Sequence, residues 1–201
     1  MQILLGIFLG FLLITTGASL ECEVCIGIGY SCTGRMQTCE AGKDTCFVTV
    51  VENLLGEFPI QTVVKGCGFS SDCNLGPQYM NFGHGQEVRT EVACCVGEAC
   101  RTASAQLPPR ITKTNGKQCP ACYSLISGGC NPHEVVNCVG PQNDCLDLAA
   151  TVTYGTVVIN TVQKGCVTRG VCSDSAQREP NMAGISYSIT KAECKPALQP
   201  E

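Results

Sequence analysis

The chain has 201 residues, 18 of them cysteine, no tryptophan, an aromatic fraction of 5% and a net charge of −4. So few aromatic side chains exclude a large oily core, and this density of cysteine is the composition of a secreted disulfide scaffold in which covalent staples carry stability. The mildly acidic balance carries no basic footprint for nucleic acid, so none is expected as a partner.

Residues 1–19, MQILLGIFLGFLLITTGAS, form an apolar run ending in small residues, with Gly17 and Ser19 placed for cleavage after Ser19. This predicts a secretory signal peptide. The run is shorter than the roughly 20 residues a spanning helix needs, and no basic stop-transfer flank follows it. The expected location is extracellular, and all 18 cysteines lie beyond the leader, where disulfides persist.

The first unit is read over 20–100. Its cysteines run Cys22, Cys25, Cys32, Cys39, Cys46, Cys67, Cys73 and Cys94, followed by Cys95 and Cys100. Between Cys46 and Cys67, FVTVVENLLGEFPIQTVVKG carries β-branched and apolar residues on both sides of Gly56, which predicts a hairpin turning there. Leu54, Leu55 and Phe58 would lie at its tip, either as an exposed apolar grip or as packing between neighbouring loops. The loop after Cys73, NLGPQYMNFGHGQEVRTEVA, gathers Tyr79, Met80, Phe82 and His84 among glycines and a proline. Large aromatic and Met side chains on a loop are candidate partner-binding residues. The same side chains would equally serve to cover the disulfide base.

Residues 101–118, RTASAQLPPRITKTNGKQ, hold Pro108, Pro109, Asn115-Gly116, four basic residues and no acidic one, and read as an exposed linker. The second unit, read over 119–195, then writes the frame again with Cys119, Cys122, Cys130, Cys138, Cys145, Cys166, Cys172 and Cys194. Seven intervals agree with the first unit within one residue each, and the box KGC at 65–67 returns at 164–166, so the chain is a duplication of one folding unit. LDLAATVTYGTVVINTVQKG predicts the matching hairpin with its turn at Gly155. The segment 196–201 reads as a polar tail without the hydrophobic run of a glycolipid anchor, and no Asn-x-Ser/Thr sequon occurs. No long stretch has a 3.6-residue apolar period, so the fold class is all-β with little helix.

The ten cysteines from Cys22 to Cys100, with the adjacent Cys94-Cys95, resemble the three-finger domain of the urokinase-receptor and lymphocyte-antigen family. That resemblance implies two tandem three-finger domains. It also implies the pairings Cys22–Cys46, Cys25–Cys32, Cys39–Cys67, Cys73–Cys94 and Cys95–Cys100, then Cys119–Cys145, Cys122–Cys130, Cys138–Cys166 and Cys172–Cys194. Spacing alone does not choose among the connectivities. The chain departs from the family in carrying Arg101 and Lys195, not Asn, after the last cysteine of each unit, and in lacking the adjacent pair in the second. The order of a ten-cysteine and an eight-cysteine unit, the start LECEVC, the Pro-rich linker and QCPACYSL are similar to the gamma-type phospholipase A2 inhibitors of vertebrate plasma.

Nothing in the chain has the pattern of a catalytic site. His84 and His133 fall in loops with no spaced nucleophile, base or metal partner, and read as surface residues. The CxxC pairs Cys22/Cys25 and Cys119/Cys122 are too far apart for a zinc ribbon and lack a βαβ setting for redox work, so disulfides are expected, with no metal and no cofactor. CCVGEAC has no histidine after its paired cysteines and no calcium loop upstream, so the chain is not read as a phospholipase. What remains is binding. The first unit carries ten acidic and four basic residues and so favours a basic partner. The resemblance implies a non-enzymatic inhibitor that complexes secreted phospholipase A2, with a homo- or hetero-oligomer as its form and no membrane anchor. The alternative is a three-finger signalling or adhesion module engaging a cell-surface receptor.

Overall fold

The computed structural model describes residues 19–55, 57–125, 129–131, 133–175, 181–182 and 185–200; the leader, save Ser19, and the Gly56 turn lie outside the described residues. The first unit comprises β1 (Glu21–Ile28), β2 (Arg35–Thr38), β3 (Thr45–Leu55), β4 (Phe58–Gly68), β5 (Gln78–Asn81) and β6 (Gln86–Cys95), with 3-10 turns at Ser70–Asn74 and Gly97–Arg101. The second comprises β7 (Thr114–Pro120), β8 (Cys122–Ser124), β9 (Val135–Val139), β10 (Asp144–Tyr154), β11 (Val157–Val167), the short helix α1 (Arg169–Ser175), β12 (Asn181–Met182) and β13 (Ile185–Pro196). The fold is all-β, as two tandem three-finger domains.

The long central hairpins form where β-branched residues crowd the sequence. β3 pairs with β4 from Thr45↔Gly68 to Leu55↔Phe58, and β10 with β11 from Asp144↔Val167 to Tyr154↔Val157. Gly155 turns the second of these at φ 58°, a left-handed conformation that a Cβ penalises. At the base of each unit the bridges crowd together. The structure joins Cys22–Cys46, Cys25–Cys32, Cys39–Cys67, Cys73–Cys94 and Cys95–Cys100 in the first unit, and Cys119–Cys145, Cys122–Cys130, Cys138–Cys166 and Cys172–Cys194 in the second. Every one of these bridges lies within a unit, so no covalent link beyond the backbone joins the two.

The units are joined instead by a shared sheet, ordered β12-β13-β10-β11-β5-β6-β3-β4-β1-β2 with β8 beside β11. The seam is β5 against β11, through Met80↔Val167 and Asn81↔Cys166. The Tyr79 N–H donates to Thr168 Oγ1 at 3.1 Å, and the Thr168 N–H donates to the Tyr79 carbonyl at 3.0 Å. Gly165 makes this approach feasible. A Cβ there would lie 2.9 Å from the Asn81 carbonyl carbon and closer still to its oxygen. In the first unit the equivalent Gly66 has another reason, since a Cβ would meet the Phe47 ring at 3.2 Å. One repeated box thus serves two different contacts.

One expectation about a connecting segment is corrected. Residues 101–118 are no free linker. Ala103, Ala105 and Leu107 pack on the buried Val48, Val50 and Val63, and β7 already begins at Thr114. The Tyr79 hydroxyl donates to the Pro109 carbonyl at 3.3 Å, and the Arg89 guanidinium donates to the Pro108 carbonyl. A segment that would otherwise leave a sheet of valines wet lies along it as a strap. The tail is tied down where it begins, because Ala197 is buried and the Gln118 N–H donates to the Leu198 carbonyl at 2.8 Å.

The strap is fastened by charge as well. The Glu52 carboxylate accepts from Arg89 at 2.6 Å and from Arg110 at 2.9 Å. Burial works to raise the pKa of Glu52, but the hydrogen bonds and charges of the two arginines outweigh it and hold the group below its ordinary 4.5. A carboxyl whose folded pKa is lowered stabilises above that ordinary value and loses the contribution as pH falls through the folded one. Glu91, on the same face of the sheet, is pushed the other way by burial, so its ionised form weakens the fold at neutral pH. Glu52→Gln should therefore cost about 1–3 kcal/mol at pH 7 and flatten the loss of stability below pH 4.5. Glu91→Gln should raise stability at pH 7. Urea unfolding of both variants at pH 7 and pH 4 checks this, and a shift of the same sign in both contradicts it.

Candidate partner-binding surface

The third finger of the first unit is the leading candidate in the sequence, and the structure places most of it indoors. Tyr79 and Met80 stand in β5, and Phe82 follows it with 1% of its surface exposed. Met80 and Phe82 form one core cluster with Leu146, Leu148, Val167 and Val171 of the second unit, and the Phe82 ring lies 5.7 Å from that of Tyr123. Tyr79 is buried at the strap, and its hydroxyl pKa is raised by that burial. The expectation of three displayed side chains is corrected: a strand edge with unpaired N–H and C=O groups and apolar neighbours gains more from pairing with β11 than from solvent. The other role considered, covering, is the one the geometry matches, though what they cover is the seam between the units.

His84 does stay outside. It sits at φ 48° between Gly83 and Gly85, a run of left-handed residues that turns β5 into β6, and its Nε2 meets the Glu134 carboxylate of the second unit. The side chain is largely exposed, so it marks the rim of the seam. His133 lies in an exposed loop, its N–H donating to Asn131 Oδ1 at 3.0 Å. Among the described contacts the His84 ring meets only the Glu134 carboxylate, and neither histidine stands against a hydroxyl or thiol nucleophile.

The cysteine sulfurs approach one another closely enough to resemble ligand sets. Those of Cys22, Cys39 and Cys67, and those of Cys119, Cys138 and Cys166, lie within 4.8 Å of one another. All six are held in bridges, and a disulfide sulfur is neither the thiolate nucleophile nor the thiolate ligand that such chemistry requires. The clusters are crossings of staples.

The most exposed aromatic and isoleucine side chains lie elsewhere in the first unit, on its first and second fingers, while the second unit exposes Leu125, Val135, Val157, Val158 and Leu198. Ile28 is 85% exposed, Tyr30 87% and Phe58 76%, with Ile26 and Ile60 also exposed beside them. Phe58 is among the tip residues that the hairpin pattern singles out. Ile26, Ile28, Tyr30 and Ile60 are not, although IGIGY places apolar and aromatic residues on alternate positions, a signal of a β face. Leu54, the other tip residue with a described side chain, is partly buried. The first two fingers of the first unit therefore display one aromatic and aliphatic group, held on paired strands except for Tyr30 just past the end of β1.

Comparison with known proteins agrees with the duplication. A family model described as phospholipase A2 inhibitor matches residues 20–102, and a u-PAR/Ly-6 domain model matches residues 115–198. Phospholipase A2 inhibitor NAI of Notechis ater is 33% identical over 190 residues, covering 92% of this chain and 91% of that protein. Phospholipase A2 inhibitor PIP of Malayopython reticulatus is 29% identical over 208 residues, covering 100% of this chain and 98% of that protein. The crystal structure of mouse TEX101 aligns with a TM-score of 0.38 at 15% identity, over 88% of this chain and 99% of that one.

Proposed function

This chain belongs to the phospholipase A2 inhibitor family, and from that membership we propose that it is a secreted, non-enzymatic protein that binds a secreted phospholipase A2 and inhibits it by forming a direct complex. The observation that carries the proposal is similarity across both units at once: relatives named as phospholipase A2 inhibitors align over nine tenths or more of this chain and of themselves. A single three-finger module would support only a scaffold; the tandem is shared from end to end.

The physical properties of the chain support the same reading. A rigid, cross-linked scaffold loses little conformational entropy on binding, so most of the contact energy is left for affinity. The first unit's excess of acidic residues speeds encounter with a basic enzyme more than it tightens the complex. Among the described residues, no helix is long and apolar enough to cross a membrane.

The test is direct. Mature protein, with its bridges intact, at micromolar excess should capture at least one of a panel of secreted phospholipases A2 and reduce its hydrolysis of micellar lipid by tenfold or more, an effect of about 1.4 kcal/mol. Unchanged hydrolysis and no capture across the panel would defeat the proposal and leave receptor binding as the reading to pursue.

A further inference from the structure

The exposed group on the first two fingers is part of a larger pattern in the sheet. Residues directly opposite in antiparallel strands project to the same face, and successive residues alternate. The register Ile28↔Thr62↔Val51↔Thr90, with Ile26↔Val64↔Thr49↔Val92 beside it, therefore defines one face. Ile60 and Phe58 continue that face toward the tip of β4. Over the segments 26–28, 49–53, 58–64 and 88–92 the charged residues are Glu52, Arg89 and Glu91, and all three stand on the opposite face, alongside Val48 and Val50, where the strap lies.

This reverses the usual arrangement of an antiparallel sheet, which turns its polar residues to water. Here the face covered by the chain's own strap holds the ions, and the face open over β1 and β4 holds isoleucine, valine, threonine and phenylalanine. Tyr30 stands exposed just past the end of β1. A contiguous exposed apolar patch marks an interaction surface. Its lack of charge also limits the partner. A surface rich in ions pressed against it would lose water and gain no counter-charge, a penalty that ion-free surfaces avoid.

We infer that this uncharged face receives the apolar, lipid-seeking surface of a secreted phospholipase A2, so that the inhibitor takes the place of the membrane. The inference rests on the phospholipase-binding reading above and names the surface that carries it. An enzyme that works on aggregated lipid has to present exposed apolar side chains around its substrate entrance in order to settle on the interface. That is the complement this β face can meet without burying a charge, at the smaller cost of its threonine hydroxyls. The acidic surplus of the first unit, with the exposed Glu57 at the tip of the same hairpin, gives the rim the sign that attracts a basic enzyme.

The experiment compares wild-type mature protein with the double variant Ile28→Ser/Phe58→Ser and the control Val157→Ser, which removes an exposed valine from the second unit. Both target side chains of the double variant are exposed, so circular dichroism and the melting curve should match wild type. Titration against a phospholipase A2 captured by wild type should show Kd weakened about 30-fold or more in the double variant and unchanged in the control. Wild type should inhibit hydrolysis of micellar lipid and leave hydrolysis of a short-chain lipid below its micelle concentration within about twofold.

Several results would overturn the inference. A double variant that binds within threefold of wild type removes this face while leaving the inhibitor reading intact. Equal inhibition of monomeric and micellar substrate places the block at the catalytic entrance. Wild type that sediments with phosphatidylcholine vesicles in the absence of enzyme, when the double variant does not, makes lipid the occupant. A wild-type oligomer that the double variant dissociates, with enzyme affinity unchanged, makes it a second copy of this chain. Wild type that captures no phospholipase defeats both readings together.

Discussion

Phe82→Ala should cost about 3–5 kcal/mol and divide one unfolding transition into two. The side chain is 1% exposed and packs with Met80 of its own unit and with Leu146, Leu148, Val167 and Val171 of the other. Removing the ring leaves a void that a bridged base and a continuous sheet cannot close, so the cavity penalty adds to the lost transfer energy. Besides this cluster the seam has the paired Tyr79–Thr168 hydrogen bonds and the exposed His84–Glu134 contact at its rim. β5 and β11 share two register pairs, and no disulfide spans the units. Once the apolar plug is gone, each unit keeps its own bridges and unfolds on its own account. Calorimetry should show a single peak in wild type and two in the variant, the first at lower temperature. One peak displaced by less than about 1 kcal/mol would contradict the view that Phe82 couples the units.

The second large effect is expected at the buried staple of the second unit. Cys138→Ala/Cys166→Ala opens a bridge between residues 28 apart, both with no measurable exposure. The chain-entropy estimate for a loop of that length is about 3–4 kcal/mol, and the loss of packing around the two sulfurs adds to it. Cys95→Ala/Cys100→Ala is the informative comparison. That bridge spans five residues at the end of the first unit, where both cysteines are only partly buried, so the same estimate gives about 2 kcal/mol and no buried void. Alanine is chosen over serine so that no hydroxyl is buried without a partner. Denaturant unfolding of the two double variants should rank them in that order, and equal losses would mean that loop length and burial do not govern these staples.

The strap and the third finger show where reading residues in order stops being informative. AQLPP reads as an exposed connector because of its prolines, yet Ala103, Ala105 and Leu107 occupy alternate positions, the period of a half-buried extended segment. Three small or single apolar residues are too weak a signal to outweigh two prolines and four basic residues. Tyr79, Met80 and Phe82 pose the opposite problem. Large apolar side chains among glycines suit a displayed binding loop and a buried joint equally well, and the strand that decides between them, β11, lies some eighty residues further along.

The duplication, the all-β class, the crowded disulfide bases and the hairpin turning at Gly155 are legible from the residues alone. Each rests on something local: cysteine spacing, β-branched runs, a glycine where the chain reverses. Only the tertiary structure decided that the two units share one sheet, that 101–110 covers the charged face of the first, and that the neutral face of β1 and β4 stays open. The reason is that a strand's own sequence sets its alternation of faces but not which neighbour satisfies its edge or which of two apolar faces is covered. Those choices follow from pairing and burial between segments far apart in the chain.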